Sequence, residues 1–172
     1  MNHVLQEIVP RLEAVHIQPI LLKGQGIALC YRYPEQRQCG DIDLYVGQTD
    51  YAQACHILQQ AGAETEDAHE SCQHYHATYQ GVVVELHRLA AYSLDPGLDR
   101  HIQVWTHRYL VEQKAACPVR EIGGTAVYLP PISFDAVYLF YHFLKHFLAK
   151  GIGFRQVCDW ARYLHVHTAE LD

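Results

Sequence analysis

No CxxC pair occurs among the six cysteines, at positions 30, 39, 55, 72, 117 and 158. Scatter of this kind excludes a disulfide framework and reads as a reduced, cytoplasmic protein. No apolar run approaches the roughly 20 residues that span a bilayer, which predicts no membrane association. The opening MNHVLQEIVPRLEAVHIQP lacks a basic stretch followed by an apolar core, so it does not read as a signal peptide. Basic excess is missing too: 13 Lys and Arg against 19 Asp and Glu leave a formal net charge of −6. That balance argues against long nucleic acid as a partner, although a local basic cleft is left open. There is neither a Walker A loop nor a GxGxxG fingerprint. Internal repeats and low-complexity segments are absent as well.

What the chain does have is an ordinary supply of core-forming residues, 49% hydrophobic over 172 positions. A chain of that length buries roughly 70% of its unfolded surface without a staple, which favours one domain or one with a small appendage. Val4, Leu5, Ile8, Leu12 and Val15 at helical spacing predict a helix over 2–16. PILLKG (19–24) predicts a buried strand, and GIALCYRY (26–33) a short helix stopped by Pro34. DIDLYV reads as a strand ended by Gly47, followed by a helix capped by Thr49 or Asp50 and running to Gln60. Strands at 75–80 and 82–89 are expected to join in a tight hairpin at Gly81, and LDPGLD (94–99) reads as a turn or loop. A hairpin is expected over 120–129. Beyond Pro130-Pro131 the periodicity is helical, with a further helix from about 155 to 165. An α/β portion therefore ends near 115–130 and a helical portion follows.

Two aspartates in CGDIDLYVG raise the first functional question. In a strand, residues i and i+2 share a face, so Asp41 and Asp43 stand side by side. Two ionised carboxylates beside an apolar sheet repel each other, and a divalent cation reverses that cost. Hard oxygen ligands at this spacing suit Mg²⁺ or Mn²⁺ better than zinc. Glu85 follows three valines in VVVELHRL and shares a face with Val83 and His87. If its strand neighbours the first, three carboxylates converge and can hold two metals, as in phosphoryl or nucleotidyl transfer. Taken singly, each motif is more often a solvated strand end or, for Glu85, an edge residue paired with Arg88.

Ahead of the aspartates lies LLKGQGIAL. Strand, then Lys23-Gly24-Gln25-Gly26, then helix is a layout in which backbone N–H groups receive phosphate oxygens. An ordinary strand-to-helix turn has the same appearance. Together, LLKGQGIALCYRYPEQRQCGDIDLYV resembles the active-site signature of the DNA polymerase β-type nucleotidyltransferase superfamily. Lys-Gly, Tyr-Pro, Arg and Gly-Asp-Ile-Asp-Leu in that order are similar to a bacterial branch of uncharacterised nucleotidyltransferases. VVVELH resembles the strand carrying that superfamily's third acidic residue, and HFLKHFLAKGIGFRQVCDWARYL resembles the branch's helical segment.

The resemblance implies an α+β fold: a nucleotidyltransferase-type mixed sheet with flanking helices over 1–115, and a mainly helical part over 116–172. It implies a metal-dependent enzyme moving an NMP group from a nucleoside triphosphate to an unidentified acceptor hydroxyl. Asp41, Asp43 and Glu85 become the catalytic and metal residues, with Glu85 a ligand or the base. Mg²⁺ or Mn²⁺ becomes the cofactor. Lys23, Gly24, Gln25, Arg37 and Arg155 become candidates for contact with the nucleotide. The superfamily's turn usually places Ser or Gly where this chain has Gln25. A non-catalytic nucleotide- or partner-binding module that keeps the fold is the alternative, and a homo-oligomer is left open.

Histidines supply a third reading, a zinc-binding regulatory domain. His142 and His146 are four apart on an expected helix, without the glutamate of HExxH or a clear third ligand. Packing, surface exposure or a place in the cleft all suit them, with Lys145 and Lys150 nearby for an anionic group. HYH (74–76) and HVH (165–167) have the i,i+2 spacing of a strand metal pair but read as surface features. Arg155 and Asp159 are expected to pair across one helical turn, i to i+4.

Overall fold

The computed structural model describes residues 1–65, 74–151 and 153–171; Cys72 and the side chain of Lys150 lie outside the described residues. These residues place seven strands in one mixed sheet. The strands are β1 (Ile20–Leu22), β2 (Asp41–Tyr45), β3 (Glu64–Thr65), β4 (His74–Tyr79), β5 (Val82–His87), β6 (Val119–Ile122) and β7 (Thr125–Tyr128). Their spatial order is β3-β4-β5-β2-β1-β7-β6. β2 lies parallel to β5 and β1 parallel to β7, while the remaining pairs are antiparallel. Because β7 pairs with β1, the sheet continues past residue 115.

Period-2 alternation divides the sheet's side chains between two layers. Leu21, Ile42, Leu44, Val84 and Leu86 point to one face. Helices α1 (Asn2–Glu13) and α3 (Gly47–Gln60) cover them with Val4, Leu5, Ile8, Leu12, Ala54 and Leu58. Each of those sheet residues is at most 1% exposed, and burying such a side chain contributes about 1.5–3 kcal/mol. Ile20, Leu22 and Tyr45 point the other way. There they meet Ile102 of α4 (Pro96–His107), Leu110 in the π-helical turn Arg108–Glu112, and Phe134 and Tyr138 of α5 (Ile132–Lys150). Trp105 and Phe134 stack with ring centroids 4.1 Å apart. A third cluster joins α2 (Gly24–Ala28) to α5 and α6 (Phe154–Val166) through Ile27, Ala136, Leu139 and Tyr163. The short α7 (Thr168–Leu171) follows.

Most expected elements are present, with informative differences. The turn between β4 and β5 uses Gln80 as well as Gly81, at φ 50° and 74°. Two positive φ values in a row match the strand twist of a two-residue hairpin. LDPGLD opens α4 instead of forming a loop. Asp95 caps it by accepting from Leu98 N at 2.7 Å, and Pro96 occupies the first turn, where its missing N–H leaves no bond unmade. The helix expected over 26–33 ends at Ala28, and α3 starts at Gly47 without a side-chain cap from Thr49 or Asp50. The five described cysteines are free. Among the described residues, no helix is long and apolar enough to cross a membrane.

Candidate active site

The parallel register of β2 and β5 sets Asp43 opposite Glu85, Asp41 opposite Val83 and Tyr45 opposite His87. Asp41, Asp43, Glu85 and His87 therefore share one face. That face is the floor of a cleft of about 700 Å³ whose other side is formed by α5 and α6. Expectation and structure agree that Glu85 turns toward the aspartate pair.

Asp43 is the best-buried acid among the described residues, 1% exposed. Its Oδ1 accepts from Lys23 Nζ at 2.9 Å and from His87 Nε2 at 2.9 Å. Burial alone would raise its pKa, but the Lys23 ammonium and the His87 imidazole outweigh burial and hold the carboxyl well below the usual range. Reciprocally, Asp43 holds Lys23 protonated against its own burial. His87 also resists the downward push of burial through its bonds to Asp43 and to Glu85, the latter at 3.4 Å, and its pKa is raised. Glu85 is lowered despite burial by the same histidine. Asp41, half-buried on the same face, is raised by burial and by Asp43, partly offset by Lys23.

Lys23 reaches this place through an unusual backbone. Its φ of 52° with ψ of −141° and the φ of 42° at Gly24 turn the chain sharply between β1 and α2. A non-glycine residue in such a conformation costs on the order of 1–3 kcal/mol and persists only where its surroundings enforce it. Here the enforcing contacts are Asp43 and His142, whose Nε2 lies 3.2 Å from Lys23 Nζ. Burial and the neighbouring Lys23 and His146 push His142 down to about 3, so it is neutral and accepts from Lys23.

Does this donor set suit a divalent ion? Asp43 Oδ2 is buried with no hydrogen-bond partner, an acceptor left unmatched on a buried acid of the cleft floor. One donor each from Asp43, Glu85 and His87 lie within 4.8 Å of one another. Asp41 lines the same cleft outside that group. Two strands thus present carboxylate oxygens at one point, and it is those oxygens that suit a hard cation.

The remaining expected residues divide. Gly24 lines the cleft, and its carbonyl accepts from Arg37 Nη1 at 2.9 Å. Arg37 also lines it but is committed elsewhere, with Nε 2.9 Å from Asp159 Oδ1 and Nη2 2.7 Å from Asp159 Oδ2. Asp159 therefore pairs with Arg37 and not, as helical spacing suggested, with Arg155. Arg155, exposed at the cleft mouth, donates to Gln38 O at 3.0 Å. Gln25 does not line the cleft; its side chain is buried with neither polar atom hydrogen-bonded. His142, His146, His74 and His76 do line the cleft, so HYH is not a surface feature. His167 instead meets Glu170 and Cys30 away from it. Sequence reasoning missed His87 and Asp159 as site-building residues. The available signal for His87 was its i,i+2 relation to Glu85; for Asp159 there was none within its own helix.

Comparison with known proteins gives the family and the fold. The chain belongs to the family of uncharacterised nucleotidyltransferases, whose profile matches residues 1–172. No curated protein matches it. Among solved structures it is similar to the antibiotic-resistance factor ANT(2'')-Ia in solution, at 12% identity and TM-score 0.68 over 99% of this chain and 85% of that one. The crystal structure of ANT(2'')-Ia with adenylyl-2''-tobramycin gives 12% identity and TM-score 0.63 over 98% and 90%. A nucleotidyltransferase-like protein from Paracoccidioides brasiliensis gives 16% and 0.58 over 96% and 75%. At these identities the likeness is one of fold.

Proposed function

We propose that the protein transfers an NMP group from a nucleoside triphosphate to an acceptor hydroxyl in a Mg²⁺- or Mn²⁺-dependent reaction. The observation that carries this reading is the register pairing of Asp43 with Glu85, with Asp41 on the same face and Asp43 Oδ2 left without a partner. Asp41, Asp43 and Glu85 would hold the ion, which when bound neutralises phosphate charge and stabilises the charge that develops during transfer.

The chain's own residues do the rest. Lys23 and His87 balance the acidic floor and fix Asp43 in one orientation. Lys23, held by Asp43 on one side and by neutral His142 on the other, presents a fixed cation to the triphosphate beside the Gly24 turn. Arg155 at the mouth adds a second cation, and Arg37 holds the turn in shape by its bond to the Gly24 carbonyl. The acceptor oxygen attacks the α-phosphate in line, its O–P bond forming as the bond to pyrophosphate breaks. Glu85, with His76 Nδ1 3.1 Å from its Oε1, takes the hydroxyl proton. The acceptor would be a small hydroxylated molecule seated between the sheet and α5. ANT(2'')-Ia was crystallised with an adenylylated aminoglycoside, so aminoglycosides are a first acceptor class to assay.

One observation favours a second reading. Lys23 and His87 already neutralise Asp43, which also suits a module that binds nucleotide without turnover. Incubation with labelled NTPs, Mg²⁺ and candidate acceptors, with Asp41→Ala/Asp43→Ala as control, separates the two. Label transfer and pyrophosphate release lost in the control support the enzyme. Metal-dependent NTP binding by calorimetry, with no release over the control, supports the module.

A further inference from the structure

Beside the acidic floor, β4 and β5 carry a second set of ligand-type side chains. His74 and His76 are i,i+2 on β4 and so point to the same face. Antiparallel pairing places His76 opposite Glu85 and His74 opposite His87. The result is a two-by-two patch of three imidazoles and one carboxylate. The His74 and His76 rings lie 4.6 Å apart by centroid, and those of His74 and His87 5.3 Å. One donor atom each from His74, His76 and Glu85 lies within 4.8 Å of the other two, so small side-chain rotations bring all three onto one ion. Unlike His87, which is 7% exposed and committed to Asp43, His74 and His76 are only half-buried and give an ion a way in.

We propose that His74, His76 and Glu85 form a site for a borderline divalent transition metal such as Zn²⁺, distinct in donor chemistry from the oxygen site at Asp41 and Asp43. Two imidazoles and a carboxylate are a donor set that zinc accepts and that Mg²⁺ does not favour. Three protein ligands leave a fourth position for water. The two sites share Glu85. Occupancy by Zn²⁺ therefore draws that carboxylate away from Asp43 and inhibits transfer. This regulatory consequence rests on the nucleotidyl-transfer reading; the metal site itself does not.

The test uses the full chain stripped with chelator, with Co²⁺ as the probe and no Mg²⁺ present, because the two sites share Glu85. The expected result is one equivalent of Co²⁺ per chain, with visible bands of four- or five-coordinate geometry that Zn²⁺ abolishes. His74→Ala and His76→Ala should each weaken binding by more than the ~10–100-fold that loss of an outer-shell partner produces, while Asp41→Asn leaves it intact. His74→Gln serves in place of either variant that fails to melt cooperatively. Absence of Co²⁺ binding to the wild type, or binding unaltered by the histidine variants, overturns the site. In the transfer assay, micromolar Zn²⁺ should inhibit the wild type and not His74→Ala; equal inhibition of both overturns the regulatory role. If no transfer is detected in any condition, the function reading has failed and the Co²⁺ titration still decides the site.

Discussion

Asp43 is the residue around which the site is balanced. A buried carboxylate is expensive unless it is paired and hydrogen-bonded, and its two partners come from separate elements, Lys23 from the turn after β1 and His87 from β5. On the proposed transfer reading, in which Asp43 holds the ion, His87→Gln should reduce transfer about 10–100-fold with the fold retained, the loss that removing an outer-shell partner of a metal ligand typically produces. The expected signature is a raised metal requirement, checked by rate against Mg²⁺ concentration and by circular dichroism. Lys23→Met acts on protonation. Asp43's depressed pKa supplies stability that is present above its unfolded value of about 3.9 and is lost as pH falls through the folded value. Without the Lys23 ammonium the folded value climbs, so the acid limb of the melting-temperature profile should move to higher pH. A thermal-melt series from pH 3 to 7 shows the shift or its absence.

Between elements, the critical link is the one from α6 to the turn after β1. Asp159 accepts a two-point contact from Arg37 and a third bond from Tyr31 Oη at 2.8 Å, and Arg37 passes the constraint on to the Gly24 carbonyl. Both charged side chains are about 10% exposed. Removing one member of such a pair strands the other charge and costs about 3–5 kcal/mol, whereas replacing both with apolar residues is often close to neutral. Asp159→Ala should therefore lower stability by about 3–5 kcal/mol, and Arg37→Met with Asp159→Leu should recover most of it. Denaturant unfolding of the single and double variants measures the coupling. This link explains how a helix late in the chain helps to shape a turn more than a hundred positions earlier.

At the scale of the whole molecule, α5 seals the second face of the sheet while carrying a buried acid. Asp135 is 5% exposed, Oδ1 has no hydrogen-bond partner, and burial pushes its carboxyl up to about 7. Because the folded value exceeds the unfolded one, its stabilising contribution is complete below about pH 4 and disappears as pH rises through about 7. Asp135→Asn should flatten the stability profile between those limits and raise the melting temperature at neutral pH. A profile identical to the wild type would show that Asp135 ionises without penalty. Phe134 beside it is fully buried and stacked on Trp105, so the same helix both closes the core and forms a wall of the cleft.

Local physics was enough to read much of this protein in its sequence. Period-2 alternation placed Asp41 beside Asp43 and Glu85 beside His87, and glycine and proline marked most turns. Asp95 and Pro96 carried the start of α4 in plain view, since an acceptor cap and a ring-locked φ are local signals. Long-range pairing was decided only on folding. Which strand neighbours which, and in what register, brought His74 and His76 over Glu85, a relation invisible to spacing within either strand. The i,i+4 rule correctly said that Arg155 and Asp159 could meet on one helix; a guanidinium from another segment offered Asp159 two parallel bonds and took it instead. Gln25 followed the glycine turn into the interior and not to the cleft because the α2 backbone turned its side chain inward. Chain neighbours thus determined the strands, helices and acidic motif, while burial and charge pairing between distant segments determined which of those side chains share one space.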